Sequence, residues 1–320
     1  MAGLKTSVVV TCCNGERFLR EQLRSIASQS EPPDEVIFGD DASEDGSVAI
    51  AREVLGDMAG EVTILTSDSR LGLSANLTRC LLCSRGEIVH FADHDDVWDR
   101  GKVARVSEAF RGDLRTELVF SNARVVDAKG RPTGATLWSL VGFGPAEQRQ
   151  WAKSPLDVLL HRTVVTGATM AVSRRLLEAA LPLPEGCWHD EWVALCAVLR
   201  GAPPVALADF LVDYRVHGSN LAGLPPRGGR EMLVQAGWPR DSRVGPWTEA
   251  CERFGTTSAS DQVRAAVAFA LRRPGRSTPP WQRAKRVIEL GLAGDYGRYG
   301  QGWLTALHDL VEPALYGRPS

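Results

Sequence analysis

Over its first part, to about residue 115, the chain alternates short β-branched runs with segments of helical period, and each run ends in polar or acidic residues. Ser7-Val8-Val9-Val10-Thr11-Cys12 reads as a buried strand, Asn14-Gly15 as a turn, and Phe18, Leu19, Leu23 and Ile26 recur at helical spacing. Pro32-Pro33 ends that helix. Glu35 to Gly39 is a second strand, Val48 to Leu55 a helix, and Val62 to Leu65 a third strand. Gly72 to Cys83 is a further helix with Leu73, Leu77, Cys80 and Leu81 on one face, and Glu87 to Phe91 is another apolar run. Such alternation predicts an α/β fold whose mostly parallel central sheet is covered by helices on both faces. Ligands of such sheets bind beyond the carboxyl ends of the strands, and Asn14, Asp40 and Asp93 all fall there.

The last of these ends is the most charged. Asp93, Asp95 and Asp96 put three carboxylates in four residues. Crowded carboxylates repel each other unless a cation joins them. A hard divalent metal holding a diphosphate is a fitting partner, and a polar loop with a helix cap is the plainer alternative.

A net charge of −2 over 320 residues argues against a nucleic-acid binder that works by bulk charge. No segment is long and apolar enough to span a bilayer, and Met1 to Thr6 leads straight into a strand, so no signal peptide is expected. Seven cysteines, an odd number mostly within apolar runs, read as reduced and cytoplasmic. Cys80 and Cys83 have CxxC spacing but no second ligand pair.

After about residue 115 the pattern changes. Leu118 to Val126 and Val164 to Val172 read as strands, with a loop over 127–155 between them. Trp188-His189-Asp190-Glu191-Trp192 opens an apolar helix, and Leu211 to Val216 is a short strand ending at His217. Gly223 to Gly229 looks like a linker before a helical tail broken at 273–275 and 279–280. The expected organisation is a domain over 1–222 whose pattern changes at about residue 115, followed by a C-terminal helical region over 223–320.

Four segments, in order, resemble one family. They are Val8 to Glu16; Asp40-Asp41-Ala42-Ser43-Glu44-Asp45-Gly46; Asp93-His94-Asp95-Asp96-Val97-Trp98; and His189-Asp190-Glu191-Trp192 with Tyr214-Arg215-Val216-His217-Gly218-Ser219-Asn220. From about Ser7 to Asn220 the chain resembles the family-two inverting nucleotide-sugar glycosyltransferases of GT-A fold, which implies that 1–222 is a catalytic domain with a donor half over about 1–115 and an acceptor half over about 116–222. The third segment resembles the Asp-Gln-Asp-Asp-Ile-Trp of a rhamnosyltransferase-like subset, with His94 where Gln is usual. Ser69 to Asn76 matches a further family segment, except that Ser69 or Arg70 stands where an Asn is usual.

The resemblance implies a donor-nucleotide site near Thr11, Cys12, Asn14, Glu16, Asp40, Asn76 and Asp93. A carboxylate at Asp40 can accept from N3–H of uracil or thymine. Turn chemistry is its plainer task, a first-turn helix acid is the equal alternative for Glu16, and Asn76 is otherwise a polar helix residue. The resemblance gives Asp95 to Mg²⁺ or Mn²⁺, with His217 as a metal ligand or diphosphate contact, while Asp96 caps the following helix or orients its neighbour. Inversion needs one base for the acceptor hydroxyl. Asp190 is the candidate, and neighbouring Glu191 the alternative. Desolvation between Trp188 and Trp192 favours a stronger base, while the helix N-terminus opposes it. Gly167 would let the sugar or acceptor approach the backbone closely.

The expected activity is metal-dependent sugar transfer from a dTDP- or UDP-sugar, dTDP-rhamnose among them, to a hydroxyl of a glycan, a lipid-linked or a small-molecule acceptor. A sugar nucleotidyltransferase would want a Gly-rich basic loop after the first strand, which 11–16 lacks. A metallohydrolase would need more ligands than six histidines offer. A decayed sugar-nucleotide-binding protein fits poorly with acids present at Asp93, Asp95 and Asp190. In the tail, Trp281, Ala284, Val287, Ile288 and Leu292 make an amphipathic helix, with Tyr296, Tyr299, Trp303, Leu304 and Leu307 beyond it. The plainer expectation is packing on the catalytic domain or a homodimer contact; the alternative is peripheral docking at the inner membrane face.

Overall fold

A computed structural model of the chain describes residues 4–185, 187–218, 240–275 and 277–316. The expected linker over 223–229, and Ser219 and Asn220 of the fourth motif, lie outside the described residues. Two compact units divide the chain: Met1–Ala146 with Val164–Ala222, and Glu147–Thr163 with Gly223–Ser320.

The first unit is built on one sheet. Strands β1 (Thr6–Cys12), β2 (Glu35–Asp40), β3 (Glu61–Leu65) and β4 (Ile88–Asp93) are joined by helices α1 (Glu16–Ala27), α2 (Ser47–Leu55) and α3 (Leu73–Cys83). After β4 come β5 (Val97–Trp98), α4 (Lys102–Gly112), β6 (Leu118–Val126), β7 (Pro132–Thr136) and α5 (Leu137–Leu140); α6 (Pro145–Trp151) runs into the second unit and α7 (Pro155–Leu159) belongs to it. Then come β8 (Met170–Ser173), α8 (Arg174–Ala180), α9 (His189–Leu199) and β9 (Val205–Arg215). The strand order is β3-β2-β1-β4-β8-β6-β9-β5, with β7 beside β6. The first four strands are parallel. β8 runs antiparallel to both its neighbours, and β6 pairs β9 in parallel.

Burial on both faces explains the unbroken apolar runs of the parallel strands. Val8, Val10 and Cys12 pack with Leu19, Leu23 and Ile26 of α1 and with Ile50 and Leu55 of α2. Val9 and Ile37 point the other way and are also buried. Each such side chain contributes about 2 kcal/mol of apolar transfer. Gly39 admits α3 closely, since a Cβ there would collide with Cys80 Sγ.

Two strands differ from the sequence expectation. In place of a strand over Val164 to Val172 there is an irregular stretch, a 3₁₀ turn over Gly167–Thr169, and then β8. The Gly167 N–H goes to the Asp190 carboxylate at 3.1 Å rather than to a ladder partner. β9 begins at Val205, ahead of the expected Leu211, and register shifts against β6 at Ser121/Asn122 and Asn122/Arg124 break its alternation. The expected loop over 127–155 holds β7 and short helices. Trp138 is buried there, edge-on to Phe143 at 4.9 Å.

His90 is an unusual core residue. It is fully buried on β4, both ring nitrogens lack a hydrogen-bond partner, and the Trp98 ring lies 5.8 Å away. Burial first, and the Lys102 charge second, pull its pKa down from 6.5 to about 3. The unfolded chain therefore binds the proton first. The stabilising contribution is present above pH 6.5 and is lost as pH falls towards 3. At about pH 4.5 the loss is on the order of 3 kcal/mol. His90→Phe is expected to remove that slope, read from urea unfolding at pH 7 and at acid pH. Equal acid sensitivity in both proteins would refute it.

Candidate active site

The carboxyl edge of the parallel strands gathers the expected residues by register. Cys12 lies beside Asp40, and Thr11 lies between Gly39 and Asp93. Cys12 is buried, and burial pushes its thiol up to about 12, so it stays protonated.

Several of the other residues are held within the protein. Asn14, at φ 53°, gives its N–H to Ser43 Oγ at 2.8 Å and accepts from Glu44 N at 2.9 Å. Glu16 accepts from Gly46 N at 3.0 Å, and its own N–H goes to Asp45 at 3.0 Å. Together they staple the start of α1 to the loop before α2. Asn76 is buried, donates to Gly39 O at 2.9 Å and accepts from Arg79 Nε at 2.9 Å, which fixes the end of β2. Asp41 accepts from Leu71 N at 2.6 Å and Gly72 N at 3.0 Å. Asp40 is different: one oxygen takes Ser43 N at 2.9 Å, and the other, Oδ1, is buried with no hydrogen-bond partner. A buried acceptor without a donor is costly, and a base N–H would satisfy it.

Two residues that sequence reasoning gave no role bear on the acid cluster, Arg215 through hydrogen bonds and Lys102 through its charge. Arg215, buried at the end of β9, gives its backbone N–H to Asp96 Oδ1 at 2.9 Å and its Nε to Asp95 O at 2.8 Å. It also reaches Glu21 at 2.7 Å. Lys102 is fully buried at the start of α4, with Nζ 2.9 Å from Ala168 O and 3.7 Å from the Trp98 ring centre. Burial brings its pKa down from 10.5 to about 7, against the pull of Asp96 and Asp93. Arg215 stood in a quoted motif; for Lys102 no local signal existed.

His217 Nε2 and Asp95 Oδ2 meet at 2.8 Å, and the His217 ring packs 4.8 Å from Phe18. Asp96 is buried, its Oδ2 has no hydrogen-bond partner, and burial followed by the Asp95 charge pushes its pKa well up. The same two causes raise Asp93 to about 6. This set suits a hard divalent cation: carboxylate and imidazole donors meet, and the surrounding carboxylates lack full neutralisation. Among the described residues no three or more His, Cys, Asp or Glu form a metal-holding group. Diphosphate oxygens and water would have to complete the shell.

Asp190 enters from α9. Its Oδ2 accepts from Gly167 N at 3.1 Å and its Oδ1 from Glu191 N at 2.8 Å, so the carboxylate plane is fixed while each oxygen keeps a lone pair. Asp190 and His189 both act electrostatically on Asp93, which joins the α9 start to the β4 end. His189 stacks on Phe91 at 5.7 Å and 6°. The space above Gly167 that was expected to receive sugar or acceptor is taken by the His189 ring. His94 likewise fills the space over Gly15, where a Cβ would lie 2.5 Å from its Cδ2. Glu191 is buried in the first turn of α9.

With this geometry in hand, known proteins are informative. The sequence profile of "Glycosyl transferase family 2" matches residues 7–178. An uncharacterized protein of Mycobacterium bovis is 30% identical over 344 residues, spanning 88% of this chain and 98% of its own. The dTDP-rhamnosyl transferase RfbG of Shigella flexneri is 27% identical over 114 residues, 34% of this chain and 37% of its own. Among solved structures, the mannosyltransferase PcManGT of Pyrobaculum calidifontis, in complex with GDP-Man and Mn²⁺, superposes with a TM-score of 0.57 at 19% identity. That match covers 100% of this chain and 89% of the other, and the shared fold is GT-A-like.

Proposed function

The chain belongs to glycosyl transferase family 2 and is a glycosyltransferase that draws on a sugar nucleotide, and from that premise we propose that it moves the sugar of a dTDP- or UDP-linked donor to an acceptor hydroxyl with inversion. One observation carries the reading. Asp95, paired with His217, and a separate carboxylate, Asp190, whose oxygens are held by backbone N–H groups, both act electrostatically on Asp93. Leaving-group stabilisation and base catalysis thus fall on different residues.

In this reading Asp40 Oδ1 takes the pyrimidine N3–H, and Thr11 and Asp93 flank the nucleoside. Asp95 and His217 would hold Mg²⁺ or Mn²⁺ at the diphosphate. When bound, the ion neutralises negative charge that grows on the leaving group. Asp190 takes the acceptor proton on the lone pair left open by its backbone bonds, and attack comes from the face opposite the diphosphate. The Asp93-x-Asp95-Asp96-x-Trp98 spelling and the partial likeness to a dTDP-rhamnosyl transferase support dTDP-rhamnose among the donors. The acceptor is a glycan, lipid-linked or small-molecule hydroxyl.

Thermal unfolding with UDP, dTDP, GDP, CDP and ADP, each with and without Mn²⁺, tests the donor assignment. A nucleotide at about 100 times its Kd should raise the midpoint by about 4 °C. The expected result is a rise with UDP or dTDP that requires Mn²⁺. No rise with any nucleotide would overturn the donor and metal assignments together.

A further inference from the structure

Lys102 carries a buried charge with no part in the donor or base assignments. Its side chain is fully buried, and taking an ammonium out of water is costly unless its N–H groups are met. Here it donates to Ala168 O at 2.9 Å and lies 3.7 Å from the centre of the Trp98 ring, whose face favours a cation. The charges of Asp96 and Asp93 favour it too. A methionine would fill much the same volume without that cost, so the ammonium asks for a task. Its stem is fixed. Lys102 opens α4, where Lys102 N donates to Asp99 O at 3.0 Å and Val103 N donates to Gln29 Oε1 at 3.0 Å. Gln29 Nε2 in turn donates to Asp99 O at 2.7 Å.

Ala168 is the middle residue of the 3₁₀ turn Gly167–Thr169. The turn is closed on itself: Thr169 N and Thr169 Oγ1 both donate to Thr166 O at 3.0 Å. Three residues tied in this way move as one piece. Two side chains from other elements bond to the backbone of the turn, Lys102 at Ala168 O and Asp190 at Gly167 N, the second at 3.1 Å. The other bond to the Asp190 carboxylate, from Glu191 N, comes from its own helix and turns with it. The Gly167 N–H therefore sets the carboxylate against the strand ends, and the Lys102 ammonium ties the turn that carries this N–H to α4.

We propose that Lys102 is a positioning residue for the base: its ammonium holds the 167–169 turn by the Ala168 carbonyl, and the turn aims the Asp190 carboxylate at the acceptor hydroxyl. This task rests on Asp190 being the base. Without the ammonium the buried Ala168 carbonyl has lost its donor and must turn to find another, and rotation of that peptide carries the Gly167 N–H with it. A displacement of about 1 Å at a reacting group can cost about 10²-fold in rate. The donor side is spared, because removing a cation beside Asp93 and Asp96 does not weaken the attraction of that cluster for a metal ion.

The test is the cycle of Lys102→Met, Asp190→Asn and the double variant in the full chain. Turnover is followed as UDP or dTDP released from UDP-glucose and dTDP-rhamnose in Mn²⁺, with water as acceptor. Lys102→Met is expected to lower kcat by about 10²-fold, with the Kd of UDP or dTDP in Mn²⁺ within about threefold of the parent. In the Asp190→Asn background the same change should cost less than about threefold, because two residues that act through one carboxylate are not additive. Amide hydrogen exchange over 164–172 needs neither sugar nor acceptor. It should speed by about tenfold or more in Lys102→Met while other segments stay as in the parent. Lys102→Gln, which keeps a donor on a side chain one atom shorter, should fall between the parent and Lys102→Met on both readouts, and it takes the place of Lys102→Met should that variant not fold. Parent-like kcat in Lys102→Met, a kcat loss that repeats in full in Asp190→Asn, a loss confined to nucleotide affinity, or unchanged exchange over 164–172 overturns the positioning task and leaves the base assignment standing. Full turnover by Asp190→Asn overturns the base assignment itself, and the task of Lys102 with it.

Discussion

Asp190→Asn is expected to lower turnover by at least about 10³-fold while leaving nucleotide binding in place, because it removes the only step assigned to that carboxylate. Proton transfer from an acceptor hydroxyl needs an oxygen with a free lone pair in a fixed direction. The bonds from Gly167 N and Glu191 N supply the direction. An asparagine keeps the shape, but its NH₂ must face one of those two N–H donors, at a cost of about 1–3 kcal/mol. The unfolding midpoint of the variant should therefore be measured beside its rate, and a folded variant that binds UDP or dTDP like the parent isolates the chemical step. Glu191→Gln serves as the comparison. It is expected to keep most of the activity, since Glu191 is buried in the first turn of α9. The opposite pattern, with Asp190→Asn active and Glu191→Gln inert, would move the base to Glu191.

The two substitutions also mark where sequence reasoning reaches. The parallel strands and the acids at their ends were legible because burial on both faces leaves continuous β-branched runs, and the residues just after each run must lie at the same edge of the sheet. Asp93 and Asp95 could be singled out on that ground, whereas Asp190, at the start of α9, was reached through the family resemblance and its setting between two tryptophans. Arg215 and Lys102 could not be assigned tasks in the same way. Arg215 reads as one basic residue in a strand, yet it gives the 95–96 turn its shape across 120 positions of sequence. Lys102 looks like an ordinary helix-start lysine, and only the tertiary fold shows that its ammonium is buried against Ala168 O and Trp98. Asn14, Glu16 and Asn76 show the converse. Their types and places suit a ligand, but loops joining adjacent strands to helices need side chains that satisfy stray backbone groups, and these residues do so. The helix Pro280–Leu292 was legible as a helix and not by facing: Val287 was grouped with Trp281, Ile288 and Leu292, yet it is buried with Leu290 while those three are exposed, because periodicity cannot tell which apolar side turns inward.

Asp95→Ala should abolish the Mn²⁺-dependent part of nucleotide stabilisation and lower turnover by about 10³-fold or more. A cation at the diphosphate is worth several kcal/mol of charge stabilisation in the transition state, and about 4 kcal/mol corresponds to that factor. The loss should be specific, because the turn is organised through backbone groups: Arg215 Nε binds the Asp95 carbonyl oxygen and Arg215 N binds Asp96, and neither bond needs the Asp95 side chain. Nucleotide affinity measured with chelator present is thus expected to match the parent, while the gain on adding Mn²⁺ disappears. His217→Ala should show the same pattern to a smaller degree, since one carboxylate remains. Calorimetric titration of UDP or dTDP at fixed Mn²⁺, and again with chelator, separates the outcomes. Should Asp95→Ala keep the metal-dependent gain, the ion would lie elsewhere in the cluster, and Asp93 and Asp96, whose carboxyls are both raised by burial beside Asp95, would be the residues to examine.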